Sequence, residues 1–389
     1  MSVDLKALQE LVQYTRGEHP VVSVYLNITP PNQYKTELNS LIRSSQKKLK
    51  DENIFDKEQL QALQETFSRI ENYVHNEMQR KKYARLAVIF ASPEGLWQVF
   101  QLPVPLPSRM AVEMDPYVRP LSVLLDEFDR YCVLVLDARK ARIFSLYLGE
   151  FDEFPEVFME QELPSRPSTS KSLGGASAGV KVGLGDEKLK SHIEDKIHRY
   201  LKDIASKTFD FFHEQEFNLL ILGGPQDKTL PKIKGHLHSY LSKRLAGEFN
   251  ARPEDKKDHL KQKALEVAQH WERKNEEKLI DSLLETHNSG GKAVLGLEPT
   301  LEALFLGQIH TLILDENFKV QGFVCPQDHH LSTYLQTCPV CQSTMYQVQD
   351  LADEMVEEAI LQQAEIKHVF TEHQAFKPYS IGAFLRFTL

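Results

Sequence analysis

Cysteine is scarce in this chain, with four in 389 residues, at Cys132, Cys325, Cys338 and Cys341. So few exclude a disulfide scaffold, and three within seventeen residues argue for a metal site in a reducing compartment. Long apolar runs are missing as well. None approaches the ~18 residues that a membrane span needs, which leaves a cytoplasmic protein without membrane contact as the expectation. At the N-terminus, Leu5, Leu8, Leu11 and Val12 share one face among polar residues, the pattern of a surface helix and not of a signal peptide. Positive charge is in deficit, 46 Lys and Arg against 55 Asp and Glu, for a net of -9. That balance gives no global attraction to nucleic acid, so any nucleic-acid role must rest on a local basic surface or a particular fold, and DNA is not among the expected partners.

Several catalytic signatures are absent too. There is no G-K-[ST] ending to make a phosphate loop, no G-x-S-x-G elbow and no H-E-x-x-H. Cys132 sits inside an apolar strand-like run, the position of a core residue and not of a nucleophile.

What is present is an ordinary globular composition, 41% hydrophobic and 26% charged, in a chain long enough for two to three domains at ~150 residues each. Three segments emerge, with expected boundaries at 1–129, 130–274 and 275–389. The first mixes a strand over Val21 to Ile28, two helices and a hairpin through Pro93-Glu94-Gly95. The second opens on a hairpin, Cys132 to Leu136 and Ala141 to Leu148, and continues through a Gly-rich loop and long helix to the apolar strand Phe217 to Leu222. That order predicts an α/β layer. A charged helix from Pro253 to about His287, with a hinge expected in its middle, leads into a third α/β segment interrupted by the cysteine cluster.

The stretch from Ser165 to Phe212 is the most distinctive. Residues 168–185 are Ser- and Gly-rich with almost no bulky apolar side chain, so they cannot build a core and should project into solvent. Asp186 reads as the N-cap of the helix behind, whose Leu189, Ile193, Ile197, Tyr200, Ile204 and Phe211 fall at helical spacing. Lys188, His192, Lys196 and Arg199 occupy the opposite face, and Lys171 and Lys181 lie in the loop. A charge run on a helix is by default a solvated face, but a basic run inside an acidic chain points to RNA contact. Histidines elsewhere, such as His236 and His238, read as polar helix residues.

Cys338-Pro339-Val340-Cys341 has the spacing that lets two thiolates from one turn bind a zinc ion. Cys325 supplies a third ligand thirteen residues upstream, and where a fourth thiolate is expected stands Asp328, followed by His329 and His330. The expected set is Cys325, His329, Cys338 and Cys341, with Asp328 and His330 as alternatives to His329. With no open position or catalytic acid in view, the zinc would be structural.

These pieces together resemble the archaeal and eukaryotic class-1 peptide-chain release factors. The hairpin, the Gly174-Gly175 loop, the helix with His-Arg-Tyr-Leu-Lys-Asp-Ile-Ala (198–205) and Leu-Leu-Ile-Leu-Gly-Gly-Pro look like their middle domain. Gly-Gly-Lys-Ala-Val-Leu-Gly-Leu (290–297), the knuckle and Ile-Gly-Ala-Phe-Leu-Arg-Phe (381–387) look like their C-terminal domain. The element order and the N-terminal Val-Ser-Val-Tyr-Leu are most similar to bacterial, Pelota-related members of that superfamily.

The resemblance implies a three-layer, RNase H-like middle domain and a C-terminal α/β sandwich carrying a zinc knuckle. It implies a ribosome-associated termination or rescue factor that presents Gly174, Gly175 and Ala176 to the large subunit, in partnership with a translational GTPase. Release factors of this type read Gly-Gly-Gln, where the glutamine helps place the attacking water; here Ala176 stands in its place. Glutamine-dependent hydrolysis is therefore not expected. The alternatives are an esterase that uses loop backbone groups alone and a zinc-stabilised protein-interaction module. No Asn-Ile-Lys-Ser is found for reading stop codons.

Overall fold

The computed structural model describes residues 5–14, 19–29, 33–52, 55–81, 84–127, 129–155, 159–161, 183–226 and 229–388. They divide into two compact units, one of Met1–Phe128 with Arg273–Leu389 and one of Asp129–Glu272.

In the first unit, helix α1 (Leu5–Val12) precedes strand β1 (Val21–Asn27), whose Val-Val-Ser-Val-Tyr-Leu run is buried throughout. Helices α2 (Tyr34–Glu52) and α3 (Lys57–Asn72) follow. The start of α3 is fixed by a reciprocal cap. The Asp56 carboxylate accepts from the Gln59 amide at 2.8 Å, and the Gln59 side chain accepts from the Asp56 amide at 3.2 Å. Strands β2 (Leu86–Ala91), β3 (Trp97–Leu102) and β4 (Arg109–Glu113) complete an antiparallel sheet in the order β3-β2-β1-β4. Leu38, Leu63, Phe67 and Ile70 of α2 and α3 pack against Val22, Val24 and Ile89 of that sheet. The expected hairpin is β2 paired to β3, Leu86 opposite Leu102. Strand β4 has no counterpart in the sequence reading, because Pro103, Pro105, Pro107 and Pro116 around it read only as chain punctuation. Helix α4 (Arg119–Glu127) ends the segment.

The second unit is built on β5 (Tyr131–Leu136), β6 (Lys140–Tyr147), β7 (Glu150–Glu153) and β8 (Met159–Glu160). Helix α5 (Gly183–Glu214), β9 (Leu219–Gly223), α6 (Thr229–Lys234), α7 (Ser239–Lys243) and β10 (Leu245–Phe249) follow. The sheet order is β10-β9-β5-β6-β7, with β8 on β6; β9 runs parallel to β5 and β10, and β6 antiparallel to β5. Side chains alternate along β5, and each face has its own helix. Cys132, Leu134 and Leu136 pack with Leu201, Ile204 and Phe212 of α5, while Val133 and Val135 pack with Leu260 and Ala264 of helix α8 (Lys257–Asn288). The result is a three-layer helix, sheet and helix arrangement. After β9 the chain needs a glycine at 224, where a Cβ would stand 2.6 Å from the Leu136 carbonyl oxygen.

Helix α8 runs unbroken through the stretch expected to hinge, and its second half gives Ile280 and Leu283 to the first unit. There the chain continues as β11 (Ala293–Leu295), α9 (Leu297–Phe305) and β12 (Ile309–Asp315). Then come β13 (Gly322–Val324), β14 (Leu331–Ser332), β15 (Tyr346–Val348), α10 (Leu351–Leu361), β16 (Glu365–Val369) and β17 (Ile381–Leu385). A mixed sheet β11-β17-β12-β16 carries the small sheet β14-β13-β15 as an insertion between β12 and α10. The first and third sequence segments share this unit through polar contacts: the Arg119 amide donates to the buried Asp353 carboxylate at 2.7 Å, and the partly exposed Lys367 meets Asp126 at 2.8 Å.

Candidate functional site

Of the residues singled out for the projecting loop, Lys171, Gly174, Gly175, Ala176 and Lys181 lie outside the described residues. The helix behind them begins at Gly183, ahead of the expected cap at Asp186. A carboxylate is as well accommodated inside a first turn as at its cap. Tyr200, Leu201, Ile204, Ala205, Phe211 and Phe212 anchor α5 in the core, and the Tyr200 hydroxyl donates to the Met159 carbonyl at 3.2 Å. His192 and Arg199 are exposed and Lys196 is half-buried, so these three lie off the buried stripe as their spacing predicts. Lys188 belongs to the first turns of the same helix.

The cysteine cluster is a pair of matching turns. In Cys325-Pro326-Gln327-Asp328-His329 the Gln327 amide donates to the Cys325 sulfur at 3.4 Å and the His329 amide to the Cys325 carbonyl at 3.2 Å. In Cys338-Pro339-Val340-Cys341-Gln342 the Val340 amide donates to the Cys338 sulfur at 3.4 Å and the Gln342 amide to the Cys338 carbonyl at 3.0 Å. The fifth residue of each turn takes a left-handed backbone, φ 55° at His329 and 63° at Gln342. Asp328 therefore occupies in one turn the place that Cys341 holds in the other.

This equivalence favours Asp328, the alternative already open, over His329 in the expected ligand set. Sulfurs of Cys325, Cys338 and Cys341 and a carboxylate oxygen of Asp328 all lie within 4.8 Å of one another, and His329 is not among them. His329 matches Gln342, the residue that reverses the chain after the ligand. His330 lies against Phe305, ring centroids 4.9 Å apart.

Within the cluster, the Cys338 thiol donates to both Asp328 oxygens at 3.3 and 3.2 Å, and the Cys325 and Cys341 sulfurs are 3.3 Å apart. Burial raises the Asp328 carboxyl, but hydrogen bonds from Cys325 and Cys338 outweigh it and hold the group well below the usual carboxylate range. The arrangement fits zinc. Three sulfurs and one carboxylate are all zinc donors, and a tetrahedron of ~2.3 Å bonds has edges of about 3.8 Å, a small outward adjustment from the present spacing. The two amide-to-sulfur bonds suit thiolates. Ser343, which sequence reasoning missed, adds a hydroxyl 2.9 Å from the Cys341 sulfur.

Residues 116–270 match the model of the family described as Bacterial archaeo-eukaryotic release factor family 10. Peptide chain release factor subunit 1 of Archaeoglobus fulgidus is 22% identical over 414 residues, covering 98% of this chain and 96% of that protein. The subunit of the same description from Methanocaldococcus jannaschii is 26% identical over 212 residues, covering 52% and 47%. Among solved structures, Archaeoglobus fulgidus Pelota aligns at 13% identity over 78% of this chain and 79% of that one, with a TM-score of 0.36.

Proposed function

We propose that this chain, similar to the archaeo-eukaryotic-type release factors, is a ribosome-associated termination or rescue factor that acts without glutamine-dependent hydrolysis. The observation that carries this reading is the family match over residues 116–270, which covers the unit bearing the Gly174-Gly175 loop and α5. Alignment along 98% of the chain to an archaeal release factor subunit supports it across both units.

In this reading the partners are large-subunit rRNA and a translational GTPase. The loop, with Lys171 and Lys181, is the part presented to the ribosome, and Lys188, His192, Lys196 and Arg199 supply charge along the helix that carries it. Each phosphate they neutralise releases counterions, so association weakens as salt rises. Gly174, Gly175 and Ala176 offer backbone N–H groups but no side-chain amide. A zinc ion held by Cys325, Asp328, Cys338 and Cys341 has a structural role, joining two turns whose segment has few apolar residues of its own.

The test is co-sedimentation of the full chain with bacterial ribosomes over a salt series. The expected result is binding that falls with salt and with charge reversal at Lys196 and Arg199, and that is unchanged by reversal of exposed Lys256. Absence of binding at low salt would leave the protein-interaction reading instead.

A further inference from the structure

The seam where α5 meets α6 and α7 is lined with imidazoles and aromatic rings. His198 and His236 have ring centroids 4.5 Å apart. Further along α5, Phe209 lies 4.4 Å from His238 and 4.6 Å from His213. His213 in turn lies 4.6 Å from Tyr240, over which the Arg244 guanidinium sits at 3.7 Å. On α5 the residues His198, Lys202, Phe209 and His213 are separated by four, seven and four positions, so they share one face of the helix.

Much of this line faces water. His198, His213 and His238 are exposed, and Phe209, His236, Tyr240 and Arg244 are half-buried. On the α6–α7 side its charge is one-sided, whereas α5 also carries Asp195, Asp203 and Asp210. From residue 229 to 247 there are four Lys and Arg and no Asp or Glu, in a chain of net charge -9. Lys234 pairs with Glu248 at 2.9 Å, whereas among the described residues no carboxylate pairs with Lys202, Lys232, Lys243 or Arg244. Phe209 of α5 and Tyr240 of α7 pack on the same core, with Leu241 buried beside them. A joint of that kind needs neither exposed imidazoles nor cations without counter-charge.

We propose that this seam is a contact for single-stranded RNA, with the His213 and His238 rings stacking on unpaired bases while Lys202, Lys232, Lys243 and Arg244 neutralise the adjoining phosphates. Rings beside cations are the surface that unpaired nucleotides recognise, because every base has a face to stack and every linkage a charge. For the identity of that RNA the inference rests on the ribosome reading, which makes it rRNA. It names a second face of α5, flanking the one that carries Lys196 and Arg199.

His238 needs a discriminating substitution, because its Nδ1 accepts the Tyr240 amide at 3.2 Å at the start of α7. His238→Asn keeps a capping acceptor and removes the ring. The full-length protein is tested for binding a fluorescein-labelled 12-nucleotide oligo(U) by anisotropy, and in parallel for ribosome co-sedimentation. The native chain should bind the 12-mer, and His213→Ala with His238→Asn should weaken it at least about fivefold at an unchanged unfolding midpoint, as expected for lost base stacking. Lys232→Gln with Lys243→Gln should make the salt slope shallower by about 1.4, at ~0.7 per phosphate.

No binding of the 12-mer, or ring variants within twofold of native, overturns the proposal. So does equal, ring-dependent binding of polyglutamate, which would assign the seam to an acidic protein. Failure of the native chain to sediment with ribosomes while ring-dependent 12-mer binding persists sinks the ribosome reading and supports the RNA seam. Undiminished sedimentation of variants that no longer bind RNA sinks the seam as a ribosomal contact and spares that reading.

Discussion

Arg119 directs one guanidinium nitrogen at both carboxylate oxygens of Asp350, at 3.2 and 3.0 Å, across 231 residues of chain and with both side chains buried. The second terminal nitrogen donates to the Glu316 carbonyl at 3.0 Å, so the guanidinium is held on several sides. Removing one member of such a pair strands the other charge away from water, which typically costs about 3–5 kcal/mol. Asp350→Ala should therefore lower the unfolding free energy of the first unit, read from urea titration, by an amount of that order. Replacing both residues with apolar side chains of similar size should cost less than the single change. Equal loss in the single and double variants would show that the two groups are not coupled.

Glu113 lines a cavity of about 1140 Å³ together with Lys48, Arg109, Lys319, Tyr346 and Asp350. Burial, and then the charges of Asp115 and Asp350, raise its carboxyl from the ordinary 4.5 to about 7. The folded state thus holds this proton more tightly than the unfolded state. Its contribution to stability is present below about pH 4.5 and is lost as pH rises through about 7. Glu113→Gln removes that dependence. The variant should match the native chain near pH 4 and exceed it above pH 7.5, by at most about 3.5 kcal/mol at ~1.4 kcal/mol per pKa unit. A constant difference between the two across pH would show that the carboxyl does not titrate in this range.

The matching turns at Cys325 and Cys338 make the fourth ligand testable. Asp328→Ala should release zinc at a lower chelator concentration than the native protein, and Cys338→Ala should abolish binding and open residues 320–346 to protease. His329→Ala should retain the metal, since its partner in the other turn is Gln342. Metal content measured after purification without chelator, with a chelator titration, decides between them. Loss of zinc in His329→Ala with retention in Asp328→Ala would restore the imidazole as ligand.

Strands β5 and β9 were legible in the sequence because continuous apolar runs ending in turn residues have few other uses, and α5 because its apolar positions recur at helical spacing. Strand β4 was not, because its burial depends on pairing Val22 with Val112 across ninety residues, a relation local pattern does not carry. The union of the first and last segments was hidden for the same reason, resting on Arg119, Asp350 and Asp353, which in the sequence are ordinary surface charges. Asp328 and His329 are neighbours in the sequence, and only the repeated turn, held by backbone hydrogen bonds, sets Asp328 beside the three sulfurs. The histidines of the α5 seam read as isolated polar residues until the fold set His213 beside Tyr240.

Ala176 stands where release factors of this type carry the glutamine. If water placement on the peptidyl ester requires a side-chain amide, the native chain should release little peptide from a loaded ribosome, since a methyl group neither orients the water nor stabilises the charge that develops. A backbone N–H at that position can still act as an oxyanion donor, and loss of one such donor elsewhere costs ~10²–10³ in rate, so a small residual rate is compatible with the reading. Ala176→Gln restores the tripeptide in a Ser- and Gly-rich stretch that imposes little steric demand. It should raise release above the native rate if the loop enters the peptidyl-transferase centre, with ribosome binding unchanged, which separates chemistry from affinity. Release by the native chain at the rate of a Gly-Gly-Gln factor would instead establish the backbone esterase, because no side chain at 176 would then be needed.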